Sequence, residues 1–180
     1  MLILDESFID FSTEHPTFVK NEILERYTNL VVIKSISKSY GVPGLRLGIL
    51  ATANKNLMQQ VRKDVSIWNI NSFGEFFMQI LGKYEKSYLL AMDEFRAERN
   101  RFISQLSEIS WLRVLPSEAN YVLCELMNNM SSHELAVRLL REHNILIKDC
   151  SAKCKGHPFI RIAIRNTEDN NQLLMALRKL

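Results

Sequence analysis

No apolar run in these 180 residues is long enough to span a bilayer. Nor does a basic start followed by a short apolar stretch and a small-residue cleavage site mark a secretory leader. Charge of one sign is concentrated nowhere: the net charge is +3 with both signs interspersed, which gives no footing for nucleic acid or a membrane surface. Cysteine is scarce. Cys124, Cys150 and Cys154 leave at least one thiol unpaired, so the expected setting is a reducing, cytoplasmic one. Cys150, Cys154 and His157 offer three metal ligands but no fourth at a structural-zinc spacing, so they read as loop residues and no metal is expected. What is present is a globular composition, 47% apolar and 24% charged, with length for one sizeable core.

The stretch Ser35-Ile36-Ser37-Lys38-Ser39-Tyr40-Gly41-Val42-Pro43-Gly44-Leu45-Arg46-Leu47-Gly48 organises the chain. It follows Leu30-Val31-Val32-Ile33, which reads as a buried strand. A lysine at the mouth of such a strand can form a Schiff base with an aldehyde. Ser35, Ser37 and the planar fork of Arg46 can together hold a phosphate. Gly41, Gly44 and Gly48 let the backbone turn close to a ligand. An aldehyde that carries a phosphate is pyridoxal phosphate. A Ser-x-Ser-Lys run followed by glycines also occurs without any such role. A second element supports the chemistry: Leu2-Ile3-Leu4-Asp5-Glu6-Ser7-Phe8 is another short strand ending in acid. Adjacent parallel strands end at one sheet edge, where Asp5 can pair with a protonated pyridine nitrogen. The plainer reading of Asp5 is a strand-end residue that caps the next turn.

These two stretches, with Glu118-Ala119-Asn120-Tyr121, Ile145–Cys150 and Phe159–Arg165, resemble the class I/II aminotransferases, the fold-type I pyridoxal phosphate enzymes. The likeness runs through nearly all of the chain. Within the family it is nearest the histidinol-phosphate aminotransferase branch and its decarboxylases of amino-acid phosphates. The resemblance implies an α/β fold: part of the large cofactor domain, with a mixed sheet, followed by a small α+β C-terminal domain. It implies pyridoxal 5'-phosphate as cofactor, Lys38 as the lysine that joins it, Asp5 as partner of its ring nitrogen, and Ser35, Ser37 and Arg46 as phosphate contacts. It makes Arg161 the grip on a substrate carboxylate, with Arg165 a candidate for the phosphate of a small phosphorylated amino acid. It also implies a homodimer in the full-length family. Phe8 stands where many of these aminotransferases have a tyrosine that bonds the cofactor's ring hydroxyl, and phenylalanine there favours the decarboxylase branch. The ring would act as an electron sink, so loss of carbon dioxide or of the α-proton follows from which bond stands perpendicular to it.

Taken in order, residues 12–28 read as a polar stretch and a short helix through Val19, Ile23 and Tyr27, giving a right-handed strand–helix–strand crossover. Arg46–Ala51 follows too closely for another crossover and is expected antiparallel to the second strand. Asn54 opens a helix on Leu57, Met58, Val61 and Val65. Ser72-Phe73-Gly74-Glu75 reads as a capping box opening a helical region with Phe76, Phe77, Ile80, Leu81 and Tyr84 on one face. That pattern continues from Ser87 to Leu106 through Leu90, Phe95 and Phe102, with the charges on the other side. Strands are expected at 112–115, 120–126, 145–148 and 159–164. Between and after them come a helix opened by Ser131 with Leu135, Leu139 and Leu140, and another over 168–180. The expected divisions are 1–86, a linking helix 87–106, and 107–180. Arg161 lies inside an apolar strand, where either a substrate carboxylate or a nearby acid would satisfy it.

In the resembled family a long stretch precedes the Asp5 strand, with the first phosphate contacts and an asparagine on the ring hydroxyl. This chain opens directly on that strand. The expectation is therefore a chain that is weakly active or inactive alone, or that works with a missing half. The two function classes are a pyridoxal phosphate enzyme, decarboxylase ahead of aminotransferase, and a non-catalytic fragment or interaction module.

Overall fold

A computed structural model describes residues 1–180. The chain divides into two compact units, Met1–Met92 and Asp93–Leu180.

The first unit is built on a three-stranded mixed sheet, β1 (Leu2–Asp5), β2 (Leu30–Ser35) and β3 (Gly48–Ala51), in that spatial order. β1 and β2 are parallel, with Asp5 opposite Ile33, and the short helix α1 (Asn21–Arg26) makes the crossover. β3 is antiparallel to β2, with Gly48 opposite Ser35, as expected for so short a connection. Leu30, Val31 and Val32 are buried, and Leu24 of α1 packs with Leu30 and Val32 to form the local core. Helix α2 (Lys55–Asp64) starts at Asn54, whose side chain accepts from the Leu57 amide at 3.0 Å.

Helix α3 (Ser72–Leu81) differs from expectation in its start and in its packed face. Its cap is Asn71, whose Oδ1 accepts from the Gly74 amide at 2.9 Å while its Nδ2 donates to the Leu45 carbonyl at 2.8 Å. Ser72 is the first helical residue, because Asn71 reaches the orphan amides from one position earlier. The packed stripe runs through Gly74, Phe77 and Leu81, while Phe76 and Tyr84 are exposed. Gly74 is small for a reason: a Cβ there would meet Leu47 Cδ2 at 3.0 Å.

Helix α4 (Glu85–Ser107) crosses the division between the units. In the second unit its inward stripe is Phe95, Arg99, Phe102 and Leu106, the last two fully buried. Leu90 points to solvent, and Arg99 lies within the buried stripe rather than among the outward charges, its Nη1 donating to the Glu118 carbonyl at 2.8 Å. The four-stranded antiparallel sheet has the order β4 (Leu112–Val114), β5 (Tyr121–Leu126), β7 (Phe159–Ala163), β6 (Lys148–Asp149). Val122, Cys124, Leu126, Ile160 and Ile162 face the core, which α4, α5 (Ser132–His143) and α6 (Thr167–Leu177) complete through Phe102, Leu135, Leu139, Leu174 and Leu177. Ser131 caps α5 by accepting from the Glu134 amide at 3.1 Å. At its other end Asn144 takes a left-handed conformation at φ 56°, so the chain leaves the helix through 145–147 and pairs only from Lys148. Leu140 lies outside the buried stripe of Leu135 and Leu139.

Glu98 ties α4 to α6: its carboxylate accepts from Arg101 at 2.7 Å, from Asn170 Nδ2 at 2.8 Å and from Thr167 Oγ1 at 2.9 Å. The Arg101 bond foremost, against a desolvation penalty, brings its pKa down to about 2.

Two outcomes follow. Asn71→Ala is expected to destabilise the chain by about 1 kcal/mol in urea unfolding, whereas Ser72→Ala stays within about 0.5 kcal/mol of the parent. Because the Glu98 pKa is lowered on folding, its stabilisation is full above about 4.5 and is lost as pH falls toward about 2. Urea midpoints measured across that window are expected to vary less with pH in Glu98→Gln.

Candidate functional site

The parallel pairing of β1 and β2 carries their carboxyl ends to the same edge of the sheet, the place where open α/β folds hold ligands. Asp5 ends β1, and its Oδ1 accepts from the Ser7 amide at 2.9 Å and from Ser7 Oγ at 2.5 Å. The same Ser7 Oγ accepts from the Ser35 amide at the end of β2, at 3.0 Å. One hydroxyl thus links the two strand ends. These bonds lower the Asp5 pKa from its ordinary value: the Ser7 hydroxyl first, then the Ser7 amide, with a smaller contribution from the charge of Lys38. Behind Asp5, Glu6 is buried and anchors the following segment by accepting from Thr17 Oγ1 at 2.6 Å and the Phe18 amide at 2.7 Å.

Lys38 sits in the turn after β2, exposed, with Nζ 4.6 Å from the centre of the Phe8 ring. The turn is closed by backbone bonds from Tyr40 N to Ile36 O (3.1 Å) and from Val42 N to Ser37 O (3.0 Å). The Tyr40 ring stacks on Tyr88 at 4.2 Å and meets Phe77 edge-on at 6.2 Å. The Tyr88 phenol is pushed up to about 12, chiefly by burial and next by the charge of Asp10, which itself forms an ion pair with Lys34.

Ser35, Ser37 and Arg46, with Ser7, Leu47 and Gly48, wall an open cleft of about 460 Å³. Lys38 and Asp5 are not among its walls. The Ser37 amide lies 3.4 Å from Ser35 Oγ. Arg46 adopts a left-handed backbone at φ 57°, a conformation that costs a non-glycine residue about 1–2 kcal/mol, and its Nη1 donates to the Pro43 carbonyl at 3.2 Å. Gly41, at φ 65°, occupies the same region without that penalty.

Arg161 and Arg165 belong to the second unit. Arg161 lies opposite Leu123 and Lys148 in the sheet. It is on the exposed face, so its setting is not the apolar interior the strand suggested; the two-residue alternation turns Ile160 and Ile162 inward and Arg161 outward. Its guanidinium lies 5.1 Å from the centre of the Tyr121 ring. Arg165 Nε donates to Asp169 Oδ2 at 2.6 Å, and both line a pocket of about 290 Å³ with Asn144, Leu146 and Asn170. Cys150 is buried, Cys154 half-buried and His157 exposed, and no three His, Cys, Asp or Glu side chains gather as a metal site. No helix is long and apolar enough to cross a membrane.

Ser7, Phe77 and Tyr88 carry parts of this arrangement that the motifs did not single out. Ser7 had a local signal, an aspartate two residues before it, the spacing at which a carboxylate bonds the backbone of its own turn. Tyr88 and Phe77 meet Tyr40 only through the tertiary fold, and nothing local announces them.

The first unit thus sets an acid and a lysine at one edge of a mixed α/β sheet, beside a serine–arginine cleft. The model for aminotransferases of class I and II matches residues 1–177, and the chain belongs to that family. It is 34% identical over its whole length to CMP-5'-(3-aminopropyl)phosphonate synthase of Streptomyces rubellomurinus, of which it covers 29%. It is 32% identical over 98% of its length to the threonine-phosphate decarboxylase of Salmonella typhimurium, of which it covers 48%. Histidinol-phosphate aminotransferase of Clostridium acetobutylicum superposes with a TM-score of 0.87 and 34% identity, over 98% of this chain and 53% of that one. The chain thus spans about half the length, or less, of the relatives it matches.

If Ser7 is what keeps the Asp5 carboxyl low, the carboxyl's NMR titration in Ser7→Ala is expected to move back up toward the ordinary value. The sign is that of a depressed acid: its stabilisation is present above the ordinary carboxylate value and lost as pH falls through the lowered one. An unmoved Asp5 titration would assign the shift elsewhere.

Proposed function

We propose that the chain carries the lysine-bearing part of a pyridoxal-phosphate-dependent enzyme acting on a phosphorylated amino acid, with decarboxylation, as in the threonine-phosphate decarboxylase of cobalamin biosynthesis, ahead of amino transfer. The observation that supports it most is the joining of Asp5 and Ser35 through one Ser7 hydroxyl, beside Lys38, at a single sheet edge. The residues fit the cofactor. A carboxylate kept ionised suits a protonated ring nitrogen, the Lys38 amine is a primary amine of the kind that joins an aldehyde, and the cleft lined by Ser35, Ser37 and Arg46 offers hydroxyl and guanidinium donors to a phosphate.

When bound, the cofactor supplies a protonated ring that takes up the electrons of the bond broken at the substrate's α-carbon. The chain's own residues do the rest. Asp5 would hold the ring nitrogen's proton by charge. Ser35, Ser37 and Arg46 would hold the phosphate. Lys38 Nζ would be the amine that joins the cofactor's aldehyde. Arg161, exposed on β7, is the proposed grip on a substrate carboxylate, and Arg165, although shared with Asp169, the candidate for its phosphate. The compounds in the relatives' names support the substrate class: threonine phosphate, histidinol phosphate and aminopropylphosphonate all unite an amine with a phosphate or phosphonate. The aminotransferase reading stands second on the structural likeness to histidinol-phosphate aminotransferase.

The test is to incubate the chain with pyridoxal phosphate, reduce with borohydride and map the label by peptide mass. Saturable labelling is expected at Lys38, lost in Lys38→Ala and, in Arg46→Ala, needing roughly tenfold more cofactor for the loss of one charge-assisted phosphate contact. Equal, unsaturable labelling of surface lysines in parent and Lys38→Ala would refute the cofactor pocket. Carbon dioxide release from threonine phosphate, against amino transfer from histidinol phosphate, then distinguishes the two reactions.

A further inference from the structure

We propose that Phe8 is a positioning residue for Lys38, its ring face being the resting place of the lysine's amine. Nζ stands 4.6 Å from the ring centre, within the range at which the negative face of an aromatic ring attracts an ammonium. The two partners are unequally free. Phe8 enters a single 3₁₀ turn, Ile9–Phe11, closed by bonds from Ile9 N to Glu6 O (3.0 Å) and from Phe11 N to Phe8 O (3.1 Å). Its ring leans on that of Phe11 at 6.5 Å, and Phe11 is buried. Glu6, at the base of this turn, is buried and bonded to Thr17 and Phe18. Lys38 is an exposed, four-carbon side chain with many rotamers. The ring is therefore the fixed part and the amine the part being placed.

The ring holds the amine without a side-chain or backbone acceptor, so no protein hydrogen bond has to be broken when the nitrogen reacts. The charge of Lys38 also acts on Asp5 at the end of β1, and the two attract each other toward the same strand ends. Leaving the ring, the ammonium gives one proton to solvent, the nitrogen lone pair adds to an aldehyde carbon, and the carbonyl oxygen departs as water with the two hydrogens left on nitrogen. That Lys38 is the reacting amine rests on the function proposed above; the contact between ring and amine does not.

The experiment needs no cofactor. The folded chain is labelled with trace acetic anhydride, and Lys38 acetylation is read by peptide mass relative to the exposed Lys55 and Lys83. Phe8→Leu is expected to raise the relative labelling of Lys38 about two- to fivefold, the equilibrium equivalent of an exposed cation–π contact. Phe8→Trp, with a stronger ring face, is expected to lower it, and Phe8→Tyr to leave it at the parent level. A second readout responds to the ring and not to stability. The ε-methylene protons of Lys38 are expected to show an upfield ring-current displacement in the parent and in Phe8→Tyr, and to lose it in Phe8→Leu. If Phe8→Leu does not fold, the tryptophan and tyrosine variants carry the comparison. Equal labelling and unmoved proton shifts among the folded variants overturn the proposal. Should these results appear while pyridoxal phosphate fails to label Lys38, the function proposed above falls and the contact stands.

Discussion

The register of β1 against β2 is the constraint on which the first unit depends. With Asp5 opposite Ile33, Ser7 arrives beside Ser35, and one hydroxyl can accept from one strand end while donating to the carboxylate of the other. A slip of one residue would turn every β1 side chain to the opposite face and break that link. The buried run Leu30–Val32, packed on Leu24, and the buried Glu6 with its two bonds to the next segment are what make such a slip unfavourable. Asp5 itself is exposed, so its ionisation is set by these short hydrogen bonds more than by burial.

Beyond the strand ends, the loop from Ser35 to Gly48 is held by contacts of a different kind. The Lys38 turn is closed by its own backbone and clamped by Tyr40 between Phe77 and Tyr88. Arg46 carries backbone strain that its neighbours must sustain, and β3 begins two residues later, paired with the end of β2. Gly48 lies 3.3 Å, measured from where a Cβ would stand, from the Lys34 carbonyl, so even the return of the loop to the sheet leaves no room for a side chain without adjustment. A loop with both ends tied to one strand and its middle pinned by aromatic rings presents serines and arginine to the cleft in a fixed relation, as expected of functional loops on a rigid scaffold.

Much of this was legible in the sequence because it is local. The lysine–arginine motif, the acidic end of β1, the crossover and the antiparallel return all follow from runs of adjacent residues. What escaped is what only three-dimensional packing decides. Asn71 rather than Ser72 caps α3, since both residue types cap well and one position separates them. The stripes of α3 and α4 are displaced from the most aromatic residues: Phe76, Tyr84 and Leu90 face outward while Gly74 and Arg99 are buried, one for its smallness and the other because a carbonyl meets its guanidinium. Arg161 read as an interior cation because its neighbours are isoleucines, but alternation places it with the exposed set. Composition around a residue says little about which side of a strand it takes.

That outward placement bears on the chemistry. Asp5, Lys38 and Arg46, within the first unit, are likewise exposed. In water at close range a pair of unit charges gains only about 1 kcal/mol, and several times more where the dielectric falls. Residues of this kind therefore bind weakly by charge alone and strongly only to a ligand that covers them as it binds. Under the function proposed above, a flat aromatic ring with a phosphate arm would do so, its faces excluding water and its charged groups pairing with the acid and the arginine. The nonpolar Phe8 beside Lys38 acts in the same direction, since it lowers the polarity around the amine without offering a competing donor. Under that proposal the selectivity of the site would come from the spacing between acid, amine and phosphate contacts, which the β1–β2 register helps to set, and not from the strength of any one of them.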